Sequence, residues 1–314
     1  LALWNKTSNG DGGDAAVDVV SVPGQSIRYG SSQNLGGFYR ATYNAANVRQ
    51  SIAFPALTPL GGAPAISGQF VTPIALNAAN PARLIIGGAN GVYESTNQGN
   101  SVVRLSTSIA NSPAKMAYGG RNGAVTNADV IFLGSGTAVL ARTNTGGALQ
   151  GTPTAFPGGT VRSLVLNPAD WRNVFVVGTT QVYSTANAGA TWTDLTGNLV
   201  GAGTFRSVEY LTLPGGDAIV VGSDLGAHIM RTASPGVWKT LGMNLPNAPV
   251  FDTHYDPVGN VLAVSTFGRG AWLYNFNPDA AITNVITTLA DSGPGSLRQA
   301  LLDADADACP TYIT

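Results

Sequence analysis

The sequence predicts an all-β fold: a propeller of about six four-stranded blades, followed by a short linker and a small capping helix. Three observations predict it. A unit of about 45 residues repeats along the chain. Each unit breaks into short apolar runs separated by Gly, Pro and Asn. Before residue 290, no stretch of 11–18 residues carries a helical apolar stripe.

The repeat is clearest where Ile74–Leu105 is laid on Leu164–Leu195, an ungapped match of 32 residues at an offset of 90. Asn77 meets Asn167, Gly88 meets Gly178, Tyr93 meets Tyr183, Asn97 meets Asn187 and Gly99 meets Gly189. An offset of two units requires a copy between them, and Val130–Leu149 supplies it, with Leu140 in the tyrosine slot. Further copies extend the slot series to Tyr39, Tyr93, Leu140, Tyr183, Ile229 and Leu273. Within a unit, an apolar or alternating stretch such as Val161–Leu166 or Phe205–Leu211 leads to a turn. A Val/Ile/Phe-rich strand follows (Arg83–Ile86, Val174–Val177, Ala218–Val221, Val261–Ser265), then the slot strand, a Gly/Asn loop and a fourth strand. The last unit, Val250–Asn277, shows three strands; Ala2–Thr7 with Trp4 is expected to supply its fourth, removing an open sheet edge, the alternative being that Trp4 ends an upstream blade of a larger ring.

Composition narrows the function classes. Charged residues are 11% of the chain and the formal net charge is −1, so no basic stripe marks a partner of nucleic acid or anionic membrane. One cysteine, Cys309, excludes an internal disulfide framework and a Cys-rich zinc site. No apolar run approaches a membrane span. The chain starts at Leu1 and is expected to be part of a longer protein.

Thr185-Ala186-Asn187-Ala188-Gly189-Ala190-Thr191-Trp192 fits the pattern S-x-D-x-G-x-T-W, with weaker versions at Ser95–Val102 and Arg142–Leu149. The pattern resembles the Asp-box, or BNR repeat, of sialidase-like and xyloglucanase-type propellers. The resemblance implies a structural role on the outer rim for Asn97, Gly99, Asn144, Gly146, Asn187, Gly189 and Trp192. Chemically, Asn caps the turn through its carbonyl oxygen, Gly takes a positive φ and Trp packs between neighbours.

The stretch Asn34-Leu35-Gly36-Gly37-Phe38-Tyr39-Arg40 resembles D-V-G-G-x-Y-R of xyloglucanase-type glycoside hydrolases, where the Asp is catalytic. Here Asn34 holds that position and cannot exchange a proton. The family's second carboxylate comes from a second propeller. The sialidase pattern is missing its Arg-Ile-Pro. Lys115, Arg162 and Arg206 begin successive units and are candidates for a cationic funnel taking an anionic sugar. Asp252 and His254 share a face of one strand and complete the candidate ligand-binding set with Asn34. No metal-ligand spacing occurs; Asp11 and Asp14 form a weak calcium candidate without the bidentate Glu of an EF-hand. No cofactor is expected.

The propeller is expected over 1–278. Residues 279–314 are expected to be a linker and a truncated β-helix lead-in, because Thr288–Leu301 resembles the opening of parallel β-helix domains of bacterial surface proteins. Ser296 and Gln299 form a capping box ahead of Leu297, Ala300, Leu301 and Ala304. Together these features point to a non-enzymatic recognition or spacer module of a secreted or surface-displayed bacterial repeat protein, meeting a glycan or protein ligand at one face. A hydrolase propeller working with a missing partner domain is one alternative, and a pure scaffold is the other.

Overall fold

Short Val/Ile/Leu runs bounded by Gly and Asn turns cannot continue as helices, and each forms a strand of two to eleven residues. The computed structural model describes residues 11–242, 245, 248–276, 288, 290–293 and 296–306. The first sheet is β1 (Gly12–Asp18), β2 (Gln25–Ser32), β3 (Tyr39–Asn44) and β4 (Arg49–Ala53), paired in that order. The second holds β5 (Thr58–Pro59), β6 (Ile74–Leu76), β7 (Leu84–Gly88), β8 (Gly91–Ser95) and β9 (Ser101–Ser106). Its last four strands pair in sequence, and β5 adds parallel to β9.

The third sheet is β10 (Met116–Asn122), β11 (Val125–Ser135), β12 (Ala138–Arg142) and β13 (Gln150–Gly151). The fourth is β14 (Ser163–Asn167), β15 (Asp170–Val177), β16 (Val182–Thr185) and β17 (Thr193–Asp194). One strand pair, Asn122 with Asp170, joins β10 to β15. The fifth is β18 (Phe205–Leu211), β19 (Ala218–Ser223), β20 (Gly226–Arg231) and β21 (Trp238–Thr240). The sixth is β22 (Val250–Asp256), β23 (Val261–Thr266) and β24 (Gly270–Asn275). The Ala2–Thr7 strand expected to complete it lies outside the described residues.

The repeat maps onto this order directly. Tyr39, Tyr93, Leu140, Tyr183, Ile229 and Leu273 fall on β3, β8, β12, β16, β20 and β24, the third strand of the repeat in every sheet. After the sheets comes one helix among the described residues, α1 (Leu297–Ala306), whose first turn is capped by Ser296 Oγ accepting from Gln299 N at 3.1 Å. Leu297 and Leu301, expected on its apolar face, are exposed.

The chain divides into two compact units. The first is Leu1–Phe156 with Leu166–Asn173 and Asn187–Thr191; the second is Pro157–Val165, Val174–Ala186 and Trp192–Thr314. In each, strand alternation sends successive side chains to opposite neighbours. Within the first unit, Leu84 and Ile86 of β7 pack with Tyr29 and Phe38 of the first sheet, while Ile85 packs with Tyr118, Ile131 and Leu133 of the third. Within the second, Ile219 and Val221 of β19 join Val177 and Val182 of the fourth sheet, and Ala218 and Val220 join Leu262 and Val264 of the sixth. β7 and β19 are therefore nearly free of polar side chains, Ser223 being the exception, and both are buried throughout.

A buried charge network crosses the second and third sheets of the first unit. Glu94 on β8 takes both arms of Arg142, Nη1 to Oε2 at 3.0 Å and Nη2 to Oε1 at 2.7 Å, together with Arg83 Nη2 at 2.7 Å and the Tyr118 hydroxyl. Arg83 also reaches Asp129 at 2.7 Å and the Tyr118 oxygen at 2.7 Å. Burial alone raises the Glu94 pKa, but its three hydrogen-bonding partners outweigh it and hold the carboxyl down at about 2.

Because Glu94 titrates below its unfolded value, its contribution is present above about pH 4.5 and is lost as pH falls toward about 2, at about 1.4 kcal/mol per pH unit. Glu94→Gln leaves two buried guanidinium groups short of a partner and is expected to cost about 3–5 kcal/mol at pH 7. Urea unfolding of both proteins checks this: the gap between them is expected to narrow from pH 5 to about pH 3, and a constant gap counts against the assignment.

Candidate functional site

The most informative surface lies in the second unit, where β18 and β22, the first strands of the fifth and sixth sheets, run side by side. Arg206 sits over the Phe251 ring with its guanidinium carbon 4.4 Å from the centroid. One step further, Thr253 Oγ1 donates to Ser207 Oγ at 3.1 Å, and at the far end the Tyr255 hydroxyl donates to Thr212 O at 2.9 Å. These contacts set the register: Arg206 beside Phe251, Ser207 beside Thr253, and Glu209 beside Tyr255.

At the Arg206 end an exposed ledge forms. Phe251 is 46% exposed and Phe267, in the turn between β23 and β24, is 70% exposed; their rings lie 5.6 Å apart. Arg206 Nη2 pairs with Asp224 Oδ1 at 2.6 Å, and Asp224 Oδ2 also accepts from Thr204 N at 3.0 Å. The guanidinium is thereby pinned flat, with one face on an aromatic ring.

Further along the same edge stand Glu209, Asp252 and His254. Glu209 lies three residues from Arg206, about 10 Å along an extended strand. Burial among the packed strands pushes its carboxyl up to about 8, the Tyr255 backbone amide opposes that rise, and the negative charge of Asp252 adds to it. Burial also raises the Asp252 carboxyl, against the Thr253 amide and His254.

The structure gathers Arg206, Asp252 and His254 of the expected ligand set in one unit, and Arg162 belongs to that unit as well. The exposed Arg162, just before β14, gives its backbone N–H to Val177 O at 2.9 Å. Arg206 differs from expectation in one respect: Asp224 balances the charge that a cationic funnel would use. Asn34 and Lys115 belong to the first unit. Asn34 occupies a left-handed turn (φ 57°), its N–H meeting Gln69 O at 3.1 Å and Phe70 O at 3.2 Å. Lys115 Nζ donates to Asn111 Oδ1 at 2.9 Å.

Asp14 uses both carboxylate oxygens on backbone, Oδ1 accepting Ala15 N and Oδ2 accepting Ile74 N, which ties β1 to β6; Asp11 O accepts Gln33 N. Among the described residues no group of three or more His, Cys, Asp or Glu side chains is placed to hold a metal ion. No helix among them is long and apolar enough to cross a membrane.

The repeat loops share one geometry. Asn97 Oδ1 accepts Ser101 N at 2.9 Å while its Nδ2 donates to Ser101 Oγ at 2.9 Å; Asn187 does the same with Thr191, at 2.8 and 2.9 Å. Gly99 and Gly189 both sit at φ 87°. In the third copy Asn144 O accepts Gly147 N at 3.1 Å and Gly146 has φ 70°. Trp192 is partly buried.

Sequence reasoning passed over Glu209, Asp224, Phe251, Phe267 and the Glu94 network. For Glu209 a signal was present: a lone acid inside the apolar run Phe205–Leu211. For the others nothing local marks the pairing.

No protein-family model matches the chain, and no curated protein does. Solved structures do. An ancestral GH74 enzyme is similar with a TM-score of 0.56 and 17% identity over 88% of this chain, which spans 38% of that enzyme's length. The extracellular domain of BT4673 from B. thetaiotaomicron is similar at a TM-score of 0.51 and 14% identity, over 80% of this chain and 31% of that one. The RRP9 WD40 repeats give a TM-score of 0.57 at 9% identity, over 87% and 79%. At such identities the likenesses show the fold: this chain is an all-β protein of the β-propeller class.

Glu209 also yields a stability test. Its folded pKa lies above the unfolded value, so the native state holds an extra proton between about pH 4.5 and about 8 and loses stability as pH rises through that window, by at most about 1.4 kcal/mol per unit. Glu209→Gln is expected to abolish that decline. Denaturant midpoints at about pH 6 and about pH 8 measure it, and equal slopes in both proteins speak against it.

Proposed function

We propose that this chain is a non-enzymatic recognition module of a secreted or surface protein, and that the ledge formed by Arg206, Phe251 and Phe267 takes up a glycan. The observation that carries this reading is the exposed, adjacent pair of aromatic rings beside a guanidinium paired with Asp224. Sugar rings present C–H faces that stack on aromatic rings, while their hydroxyls accept hydrogen bonds from Arg and donate to carboxylates. The Asp-box reading of the repeat loops fits the paired Asn97 and Asn187 turns and leaves those residues a structural role. The likeness to an ancestral GH74 enzyme and to an extracellular domain supports a carbohydrate-facing, extracellular setting. Asn34, in the place of the acid that the hydrolase resemblance requires, supports binding over cleavage.

Affinity electrophoresis in gels carrying hydroxyethylcellulose, dextran, xylan, alginate or heparin tests the proposal, with reducing-end release measured in parallel. Retention without release is the expected outcome. Phe267→Ala, at an exposed turn, is expected to weaken it about tenfold while leaving the melting temperature within a few degrees. Release of sugar ends replaces this reading with a hydrolase; absence of retention on every polymer favours a scaffold or a protein partner.

A further inference from the structure

The ledge is built around a cation whose charge is already answered. Arg206 Nε donates to Asp224 Oδ1 at 2.7 Å and Nη2 stands 2.6 Å from the same oxygen, while the guanidinium carbon lies 4.4 Å from the centre of the exposed Phe251 ring. The short segments that form this surface, 204–207, 223–226, 250–253 and 266–270, bear two cations, Arg206 and Arg269, and two acids, Asp224 and Asp252.

Asp224 is fixed from several sides. Its amide donates to Thr204 O and its Oδ2 accepts from Thr204 N, both at 3.0 Å. In the β19–β20 turn that carries it, Ser223 Oγ accepts from Leu225 N and donates to Gly226 O, each at 3.1 Å. Gly203, at φ 82°, passes so close that a Cβ there would stand 2.9 Å from Asp224 Cβ. Both side chains of the pair are 31% exposed, and an ion pair in that setting adds little to stability. Its consequence lies in what the surface offers a ligand.

We propose that Asp224 is the specificity-determining residue of the ledge, neutralising Arg206 so that the surface takes uncharged glycans and turns away uronate and sulfated ones. This inference rests on the reading of the ledge as a ligand site and adds the class of ligand. A guanidinium carries five N–H donors in a planar fork, so one that is paired with a carboxylate still donates to sugar hydroxyls. A ligand carboxylate or sulfate gains less there. It competes with Asp224 for the same guanidinium and brings a second negative charge against it. Selection then comes from a built-in repulsion rather than from a better contact.

Affinity electrophoresis of the intact chain tests this, with hydroxyethylcellulose and dextran as uncharged polymers and alginate and heparin as anionic ones. The proteins are wild type, Asp224→Asn, Asp224→Ala, and Asp224→Asn combined with Phe267→Ala. Asp291→Asn makes the same change in net charge at a residue whose side chain is 92% exposed. Wild type is expected to be retained by an uncharged polymer and about tenfold less by alginate or heparin. Both Asp224 variants are expected to gain about tenfold on an anionic polymer, a gain that disappears in about 1 M salt, and to stay within about threefold of wild type on the uncharged ones. Asp291→Asn is expected to behave as wild type, and the combined variant to lose the gain. Unchanged retention of both Asp224 variants on alginate and heparin, with wild type held by an uncharged polymer, overturns the selector and leaves the ledge standing. An equal gain in Asp291→Asn, or a gain that survives Phe267→Ala, also overturns it, by assigning the charge effect elsewhere. Wild type held by the anionic polymers as strongly as by the uncharged ones, or by no polymer while an Asp224 variant binds, overturns the uncharged class. Failure of every protein on every polymer overturns the ledge reading itself, and the selector with it.

Discussion

Burial of both faces of the central strands β7 and β19 is the constraint on which this structure depends. Ala218–Ser223 is covered on both sides, and Leu84–Gly88 likewise. A sheet with two apolar faces is stable only if a second sheet covers each, and alternation along a strand then assigns every side chain to one neighbour or the other. Leu84 and Ile86 go one way and Ile85 the other. The repeat length, the short strands and the apolar runs without polar interruption all serve that stacking. So do the Gly and Asn turns, because loops of this length must reverse the chain within a few residues.

Charged groups in the interior are held in two different ways. Glu94 is the extreme case, a carboxylate held by two guanidinium groups and a phenol in the interior of the first unit. Such a network contributes little relative to an apolar substitute, yet removing one member strands the others. Glu209 illustrates the opposite solution. With no cation beside it, burial pushes its carboxyl up to about 8. Two glutamates on the same kind of scaffold thus stand on either side of their ordinary pKa, and the difference lies in what the neighbouring sheet offers.

Much of the architecture was legible in the chain. The slot series from Tyr39 to Leu273 marked the third repeat strand in all six sheets, and the three strands of the last unit were visible as Val250–Asp256, Val261–Thr266 and Gly270–Asn275. The candidate site was legible only in fragments. Arg206, Asp252 and His254 were visible as polar residues on first strands, but nothing in the sequence singled out Phe251, Phe267 or Asp224. Their partnership depends on β18 lying beside β22, which no local pattern records.

The sequence by itself determined that this protein is a string of short antiparallel sheets, because strand period, turn chemistry and repeat length are written in consecutive residues. The tertiary structure alone decided that Arg206 stacks on Phe251 and pairs with Asp224, and that burial raises the Glu209 carboxyl. Those outcomes come from segments 18 to 45 residues apart brought into register. Desolvation and side-chain pairing are properties of the space between sheets, and that space exists only after the sheets have packed.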